Sequence, residues 1–358
     1  MVHRIALIRR EANMITLKQA IENYVTTRTT EGMSRHYTTW LERRLRDFNQ
    51  YAQETRPGDE SLGRVTLDDA RNFIGMLMEK RVKYEHHQNR APEAEGLAPT
   101  TINGYARSIR SFGTFLFEEG YTEENIFAGL RPPKVPKKII EPLTEEEIRR
   151  ILAIIPQETA EGLRNYAFFL LLLDTGIRLS EMLNLDVSDI DLAEGIFKVM
   201  GKGSKEREIP LGVTARRALI RYIEMGRPRP LNPNDDTLFL TMDGSPITQS
   251  SVACVLKRIA NRVHIKHLYP HLLRHTFAVR YLINGGDAFS LQKILGHESL
   301  DMTRRYVELA NTDVKKKHQQ FSPVDNLNLS EARRGRPRLQ TKGKSEYTAS
   351  PTASWVKK

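Results

Sequence analysis

Pro132, Pro133 and Pro136 stand close together in Arg131-Pro-Pro-Lys-Val-Pro-Lys-Lys, and they divide the chain. Proline fixes φ and lacks a backbone donor, so neither a helix nor a central strand runs through such a stretch. It predicts a stiff, extended linker whose basic residues include Lys134, Lys137 and Lys138. Hydrophobic residues recur at helical spacing on both sides, and 358 residues suffice for a core in each region. The expected organisation is an extension over 1–14, a helical domain over 15–130, the linker over 131–142, a second domain over 143–321 and a tail over 322–358.

The first region is expected to be an all-helical bundle. Thr16 caps a helix carrying Leu17, Ala20, Ile21, Tyr24 and Val25. Ser34 opens a second with Trp40, Leu41, Leu45 and Phe48, and Thr66 with Asp69 resembles a capping box before Phe73 and Leu77. Residues 84–98 are polar and read as an exposed loop. Thr100 is expected to start a fourth helix carrying Ile109, Phe112, Phe115 and Leu116. Arg43, Arg44, Arg46, Arg107 and Arg110 on the polar faces are either solvated or available to phosphates.

In the second region Thr144 and Glu147 form a capping box, and the helix near 162–174 is apolar on nearly every side, as a central core element should be. Arg178 follows it directly at a chain reversal, where a guanidinium is costly unless paired, and Glu181 is the candidate partner. Residues 195–211 read as a hairpin with Lys202 between two glycines at its turn. Leu238-Phe-Leu is expected as a short strand and Gln249–Val263 as an amphipathic helix packing Cys254 into the core. Ser290 and Asp301 are the expected caps of two later helices. Residues 313–321 suggest a final helix too weakly apolar to close its own core, suited to a neighbouring subunit.

Charge narrows the partners. The formal net charge is +11 and the pI near 9.6, which favours a polyanion. From Asp313 onward eleven Lys or Arg face four Asp or Glu, so most of the excess lies in this last stretch of 46 residues. Within it Arg333-Arg334-Gly335-Arg336-Pro337-Arg338 is similar to the core of an AT-hook, whose arginines enter the narrow minor groove of A·T-rich DNA; a nonspecific basic tail is the alternative. A single cysteine permits no intrachain disulfide, and the longest apolar run, 167–173, is too short for a bilayer. The chain reads as cytoplasmic and nucleoid-associated, with no membrane partner.

His271-Leu-Leu-Arg274-His275 places His271 and Arg274 on one helical face, and Gly296-His297 and Tyr306 follow. His271 and His275 have a plausible metal spacing, but a guanidinium between them repels a cation and no Cys, Asp or Glu completes a set. No metal and no cofactor is expected. Arginine and histidine donors beside a phenol suit an oxyanion, most simply a phosphate.

Thr-Gly-x-Arg178-x-Ser-Glu181, Gly-Lys202-Gly-x-Lys205-x-Arg207, Pro-His271-x-Leu-Arg274-His275, Leu-Gly-His297 and Tyr306 occur in that order. The set resembles the tyrosine recombinase (phage integrase) family, nearest its Xer-like and transposon-borne members, over about residues 143–321. The resemblance implies a mainly α catalytic domain with a small β-sheet (α+β) behind an all-α helical-bundle DNA-binding domain, the two forming a C-shaped clamp on DNA. It implies a 3′-phosphotyrosine intermediate made by Tyr306, with Arg178, Lys202, His271, Arg274 and His297 catalytic, and Glu181 and His275 supporting. Lys134, Lys137, Lys138, Lys205, Arg207, Arg334 and Arg336 are the candidate DNA contacts. The expected partners are duplex DNA with a specific recombination site, a homotetramer exchanging C-terminal helices, and accessory DNA-bending proteins.

The chemistry supports the same roles. Uncatalysed phosphodiester cleavage is extremely slow, and without a carboxylate cluster for two metals the charge on the phosphorane must be met by side chains. Arg178 and Arg274 offer permanently charged forks, His297 a further donor, His271 a base for the phenol and Lys202 an acid for the leaving 5′ oxygen. The leading reading is a site-specific recombinase serving a mobile element. A Xer-type dimer resolvase, a type IB topoisomerase-like nicking and closing enzyme, and a noncatalytic DNA-binding protein on the same scaffold are the alternatives.

Overall fold

The computed structural model describes residues 15–80, 95–136, 140–201, 206–310, 318 and 322–324, and the chain divides into two compact units, 1–139 and 140–358. The first unit is helical among its described residues: α1 (Leu17–Thr30), α2 (Arg35–Thr55), α3 (Leu67–Glu79) and α4 (Pro99–Glu118). Local chemistry explains the starts. Thr16 accepts from the Gln19 amide while the Gln19 side chain returns to the Thr16 amide, and Thr66 and Asp69 repeat the device. The fourth helix begins one residue before the expected Thr100, because Pro99 occupies the first turn, where its missing N–H costs nothing. Its apolar face meets the others around Tyr24, Leu41, Leu45, Phe48, Phe73, Phe112 and Leu116, all fully buried or nearly so. Each such side chain contributes roughly 1.5–3 kcal/mol of burial, and Tyr24 fits because its hydroxyl pairs with Ser111 at 2.7 Å.

Trp40 departs from expectation. It is exposed, and the Arg44 guanidinium lies 3.5 Å from its ring centroid. Arg46 bonds Glu42 at 2.7 Å, one helical turn away.

The second unit is built around α6 (Ala160–Thr175), preceded by α5 (Glu145–Ile154) with its Thr144–Glu147 capping box. Phe168, Phe169, Leu171 and Leu172 on α6 are fully buried. The helix stops at Gly176, whose left-handed φ of 61° permits the reversal, and an added Cβ there would lie 2.3 Å from the Phe277 ring. After α7 (Leu179–Leu183) comes a three-stranded antiparallel sheet, β1 (Ile190–Asp191), β2 (Ile196–Met200) and β3 (Glu206–Pro210), in that spatial order. The expected hairpin is β2–β3, with buried Phe197 opposite buried Ile209; the short β1 carries no readable alternation.

Leu238-Phe-Leu is not a strand. Only isolated bridges form there, Asp186 to Thr237 just before it and Leu240 to Pro246, so pairing never propagates although all three side chains are buried. The remaining helices are α8 (Val213–Arg221), running into a wider turn over Tyr222–Gly226, then α9 (Gln249–Arg262), α10 (Pro270–Ile283), α11 (Ala288–Leu295) and α12 (Leu300–Leu309). Cys254, expected in the core, is exposed, because α9 buries the stripe of Val252, Val255, Leu256 and Ile259 and residue 254 falls outside it. Asp287, rather than Ser290, caps α11, accepting from the amides of Phe289 and Ser290. Ser299 precedes α12, and Asp301 instead sits in its first turn, where the helix dipole favours a carboxylate. No helix among the described residues is long and apolar enough to cross a membrane. The expected helix at 313–321 and the tail from 325 lie outside the described residues, apart from His318.

Candidate active site

The reversal at Gly176 delivers Arg178 to the start of α7. Its backbone amide donates to Glu181 Oε2 and its Nη1 to Glu181 Oε1, both at 2.8 Å. Glu181 therefore orients Arg178, as expected. Its carboxylate is buried, and it also receives Arg207 Nη1 at 3.2 Å and Nη2 at 2.8 Å. Burial opposes the charge on Glu181, but hydrogen bonds from Arg207 and Arg178 outweigh it and hold the carboxyl below its ordinary range.

Arg207 thus corrects an expectation. It was a candidate DNA contact, yet its side chain is only 15% exposed and its donors are taken up by Glu181 and the Ile294 carbonyl. The alternation along β3 contains the signal: Arg207 lies two residues before buried Ile209, and so on the inward face.

Three guanidiniums converge on the end of α11. Arg207 Nε donates to the carbonyl of Ile294 at 3.1 Å, Arg274 Nη2 to Leu295 at 2.9 Å and Arg178 Nη2 to Gly296 at 3.3 Å. The last carbonyls of a helix have no partners within it and carry the negative end of its dipole, so they suit buried cations. Arg274 Nη1 also donates to the Gly176 carbonyl at 2.7 Å, tying the ends of α6 and α11 to one side chain. Desolvation, then the neighbouring Arg178, pushes Arg274 down to about 10, so it remains charged at neutral pH but gains from an incoming anion.

Gly296 turns the chain with φ of 62° and sends His297 toward α12. The Nδ1 of His297 pairs with the buried Thr303 hydroxyl at 2.8 Å. Its ring stacks on Tyr306, with centroids 6.1 Å apart and planes 11° from parallel. Tyr306 is buried in a cluster with Phe277, Leu282, Leu291 and Leu295, and its ring also meets the His275 ring at 5.4 Å. Desolvation, followed by Arg274 and Arg178, lowers His297 to about 4, and partial burial beside Arg274 lowers exposed His271. Both shifts favour the neutral imidazole.

The structure therefore brings Arg178, Glu181, Arg274, His275, His297 and Tyr306 into one contiguous network, with His271 one turn before Arg274 on α10. Thr303, which sequence reasoning did not name, and Arg207, which it assigned to DNA, are further members. Lys134 is exposed; Lys137, Lys138, Lys202, Lys205, Arg334 and Arg336 lie outside the described residues.

Residues 141–313 match the Phage integrase family. Tyrosine recombinase XerC of Oceanobacillus iheyensis is 35% identical over 277 residues, spanning 76% of this chain and 86% of the relative. The chain belongs to the tyrosine recombinase (phage integrase) family. It is a DNA strand-transferring enzyme, as that membership entails. Tyrosine recombinase XerD of the same organism is 32% identical, covering 78% of this chain and 90% of its own length. Among solved structures, the Tn1549 transposon integrase in complex with a circular intermediate DNA shares the recombinase fold with a TM-score of 0.63, at 23% identity over 82% of this chain and 95% of its own. A lambda integrase dimer bound to a COC' core site shares it at 0.61, with 18% identity over 80% of this chain and 97% of its own.

Proposed function

We propose that this recombinase cuts and rejoins duplex DNA at a specific site through a 3′-phosphotyrosine made by Tyr306. The phenol oxygen attacks phosphorus, the bond from phosphorus to the 5′ oxygen breaks, and the strand's 3′ phosphate becomes esterified to the protein. Neutral His271 accepts the phenol proton, and Lys202 returns a proton to the departing 5′ oxygen. Arg178 and Arg274 meet the charge that develops on the phosphorane. In the tautomer in which the Thr303 hydroxyl donates to Nδ1, the neutral His297 ring carries its proton on Nε2, where it serves as a donor to a non-bridging oxygen. Attack by a 5′ hydroxyl on the tyrosyl ester reverses the step, and the ester conserves the bond energy.

The observation that carries this reading is the anchoring of Arg178 and Arg274 on successive carbonyls, Gly296 and Leu295, immediately before the His297 that stacks on Tyr306. Preorganised cations beside a phenol are what phosphoryl transfer without metals needs. Tyr306→Phe should abolish covalent protein–DNA adducts on nicked duplexes while leaving binding intact; adducts that persist would show a different nucleophile.

Four protomers on two synapsed sites, exchange of residues 313–321 between neighbours, accessory DNA-bending proteins and A·T-rich contacts by Arg334 and Arg336 complete the proposal. Lys134, Lys137, Lys138 and Lys205 are assigned to phosphates. A mobile element is the proposed context, because the basic tail adds contacts beside the exchange site. Native mass measurement on DNA tests the tetramer, and transposon or prophage sequence beside the gene tests the context.

A further inference from the structure

The two imidazoles flanking Tyr306 are held in different ways. His297 is pinned to Thr303, which lies on the same helix as Tyr306. His275 Nε2 instead donates to the backbone carbonyl of Ile140 at 2.7 Å, at the first residue of the second unit. Two further side chains of α10 grip the same segment. Leu143 N donates to Thr276 Oγ1 at 2.9 Å, and Arg280 donates through Nε and Nη2 to the Leu143 carbonyl at 3.2 and 3.1 Å. Residues 140–143 thus form a strap across the helix that carries His271 and Arg274. Leu143 and Thr276 are buried, so neither bond is exchanged freely for water.

This arrangement exceeds what anchoring requires. Thr276 and Arg280 fix Leu143 at both its amide and its carbonyl, which secures the strap to α10. The bond from His275 to Ile140 adds orientation. Because a carbonyl only accepts, it sets the ring's proton on Nε2 and fixes the plane of the imidazole. That ring contacts the nucleophile, tilted 52° to it. Of the two imidazoles beside Tyr306, one is therefore fixed from outside its own helix, by the stretch the chain reaches directly after its proline-rich basic segment.

We infer that His275 is a positioning residue for Tyr306, oriented by the strap at Ile140–Leu143, so that the seating of this segment sets the rate of strand cleavage. The inference rests on Tyr306 being the nucleophile. It assigns His275 no contact with DNA and no proton transfer. Sub-ångström to ångström shifts of a nucleophile cost rates of up to about 10²-fold, whereas binding depends on phosphate contacts made elsewhere. A loosened strap should slow chemistry without weakening the complex.

The test uses the full chain and a nicked duplex carrying the junction found beside the gene, following adduct formation and gel-shift affinity separately. His275→Phe keeps an aromatic wall but lacks the donor, so adducts should form at least about tenfold more slowly at unchanged affinity. His275→Gln, which retains an N–H for Ile140, should recover most of that loss. Thr276→Val with Arg280→Met should slow adduct formation when His275 is present and add nothing to His275→Phe. Cleavage by His275→Phe at the parental rate, affinity and rate lost in proportion, absence of recovery by glutamine, or additive losses would each overturn the inference. If His275→Phe does not fold, the strap pair decides alone: slower adducts at equal affinity support the inference, and an unchanged rate refutes it. Parental protein that forms no adduct indicts the assignment of Tyr306 instead.

Discussion

Arg207 and Glu181 meet across the second unit in a fork-to-fork pair, Nη2 to Oε2 at 2.8 Å. The same carboxylate holds Arg178, so a residue on a strand orients a guanidinium at a helix start. Arg207→Ala should therefore behave like a lesion in the catalytic network. Removing one partner of a buried pair costs about 3–5 kcal/mol, and Glu181 keeps Arg178, so the lower end is expected. Chemical denaturation should report the stability loss. Adduct formation should fall much more than DNA affinity, and equal losses in both would return Arg207 to the role of DNA contact.

Thr303→Val keeps the shape but removes the partner of His297 Nδ1. The buried ring nitrogen loses its bond, at about 1–3 kcal/mol. With the ring no longer held by that bond, cleavage of a nicked duplex should slow by roughly tenfold while binding holds. A parental rate would show that Thr303 does not hold His297 for the reaction.

Acid should destabilise the second unit through His297. Its folded pKa of about 4 lies below its ordinary 6.5, so the unfolded chain binds the extra proton first. The contribution is complete above about pH 6.5 and is lost as pH falls toward 4, amounting to a few kcal/mol. His271 and His275 are shifted in the same direction, His271 mainly by desolvation and then Arg274, and His275 by desolvation against its bond to Ile140. Urea midpoints measured between pH 7.5 and 4.5 should decline, and His297→Phe should flatten much of that decline. A slope unchanged in this variant would place the acid sensitivity elsewhere.

Gly176→Ala combines a left-handed backbone with a Cβ placed 2.3 Å from the Phe277 ring. The conformational term is roughly 1–2 kcal/mol and the overpacking 1–3 kcal/mol. A clear drop in melting temperature is expected, together with lost cleavage, because the Gly176 carbonyl anchors Arg274. A variant as stable as the parent would mean that the reversal tolerates a side chain.

Cys254, the chain's only cysteine, is exposed on α9 and should react with a thiol reagent in the native protein, without denaturant. Protection until unfolding would restore the buried placement that its apolar neighbours suggest.

Local signals carried far along the chain. Thr16, Thr66 and Thr144 start helices where capping chemistry says they should, and Gly176 and Gly296 end them, because these devices involve residues a few positions apart. Position 301 and position 290 misled because Asp, Ser and Thr near a helix start compete for one geometric role, and backbone direction chooses among them. Leu238-Phe-Leu has strand composition, but a strand needs a partner that runs alongside it, and here the partners are single loop residues.

By itself the sequence determined the identity of the chemical groups: two arginines, a lysine, two histidines and a phenol in a recognisable order, together with the helical framework around them. Tertiary structure decided how those groups are held. The end of α11 gathers Arg178, Arg207 and Arg274 from positions up to 96 residues apart in the chain, and it turns Arg207 from a surface cation into a support. Acceptors such as the carbonyls of Gly176, Ile294 and Ile140 carry no side-chain signature, since every residue has one. Which carbonyl a buried guanidinium or imidazole finds depends on how helices pack, and periodicity and motif spacing do not encode that.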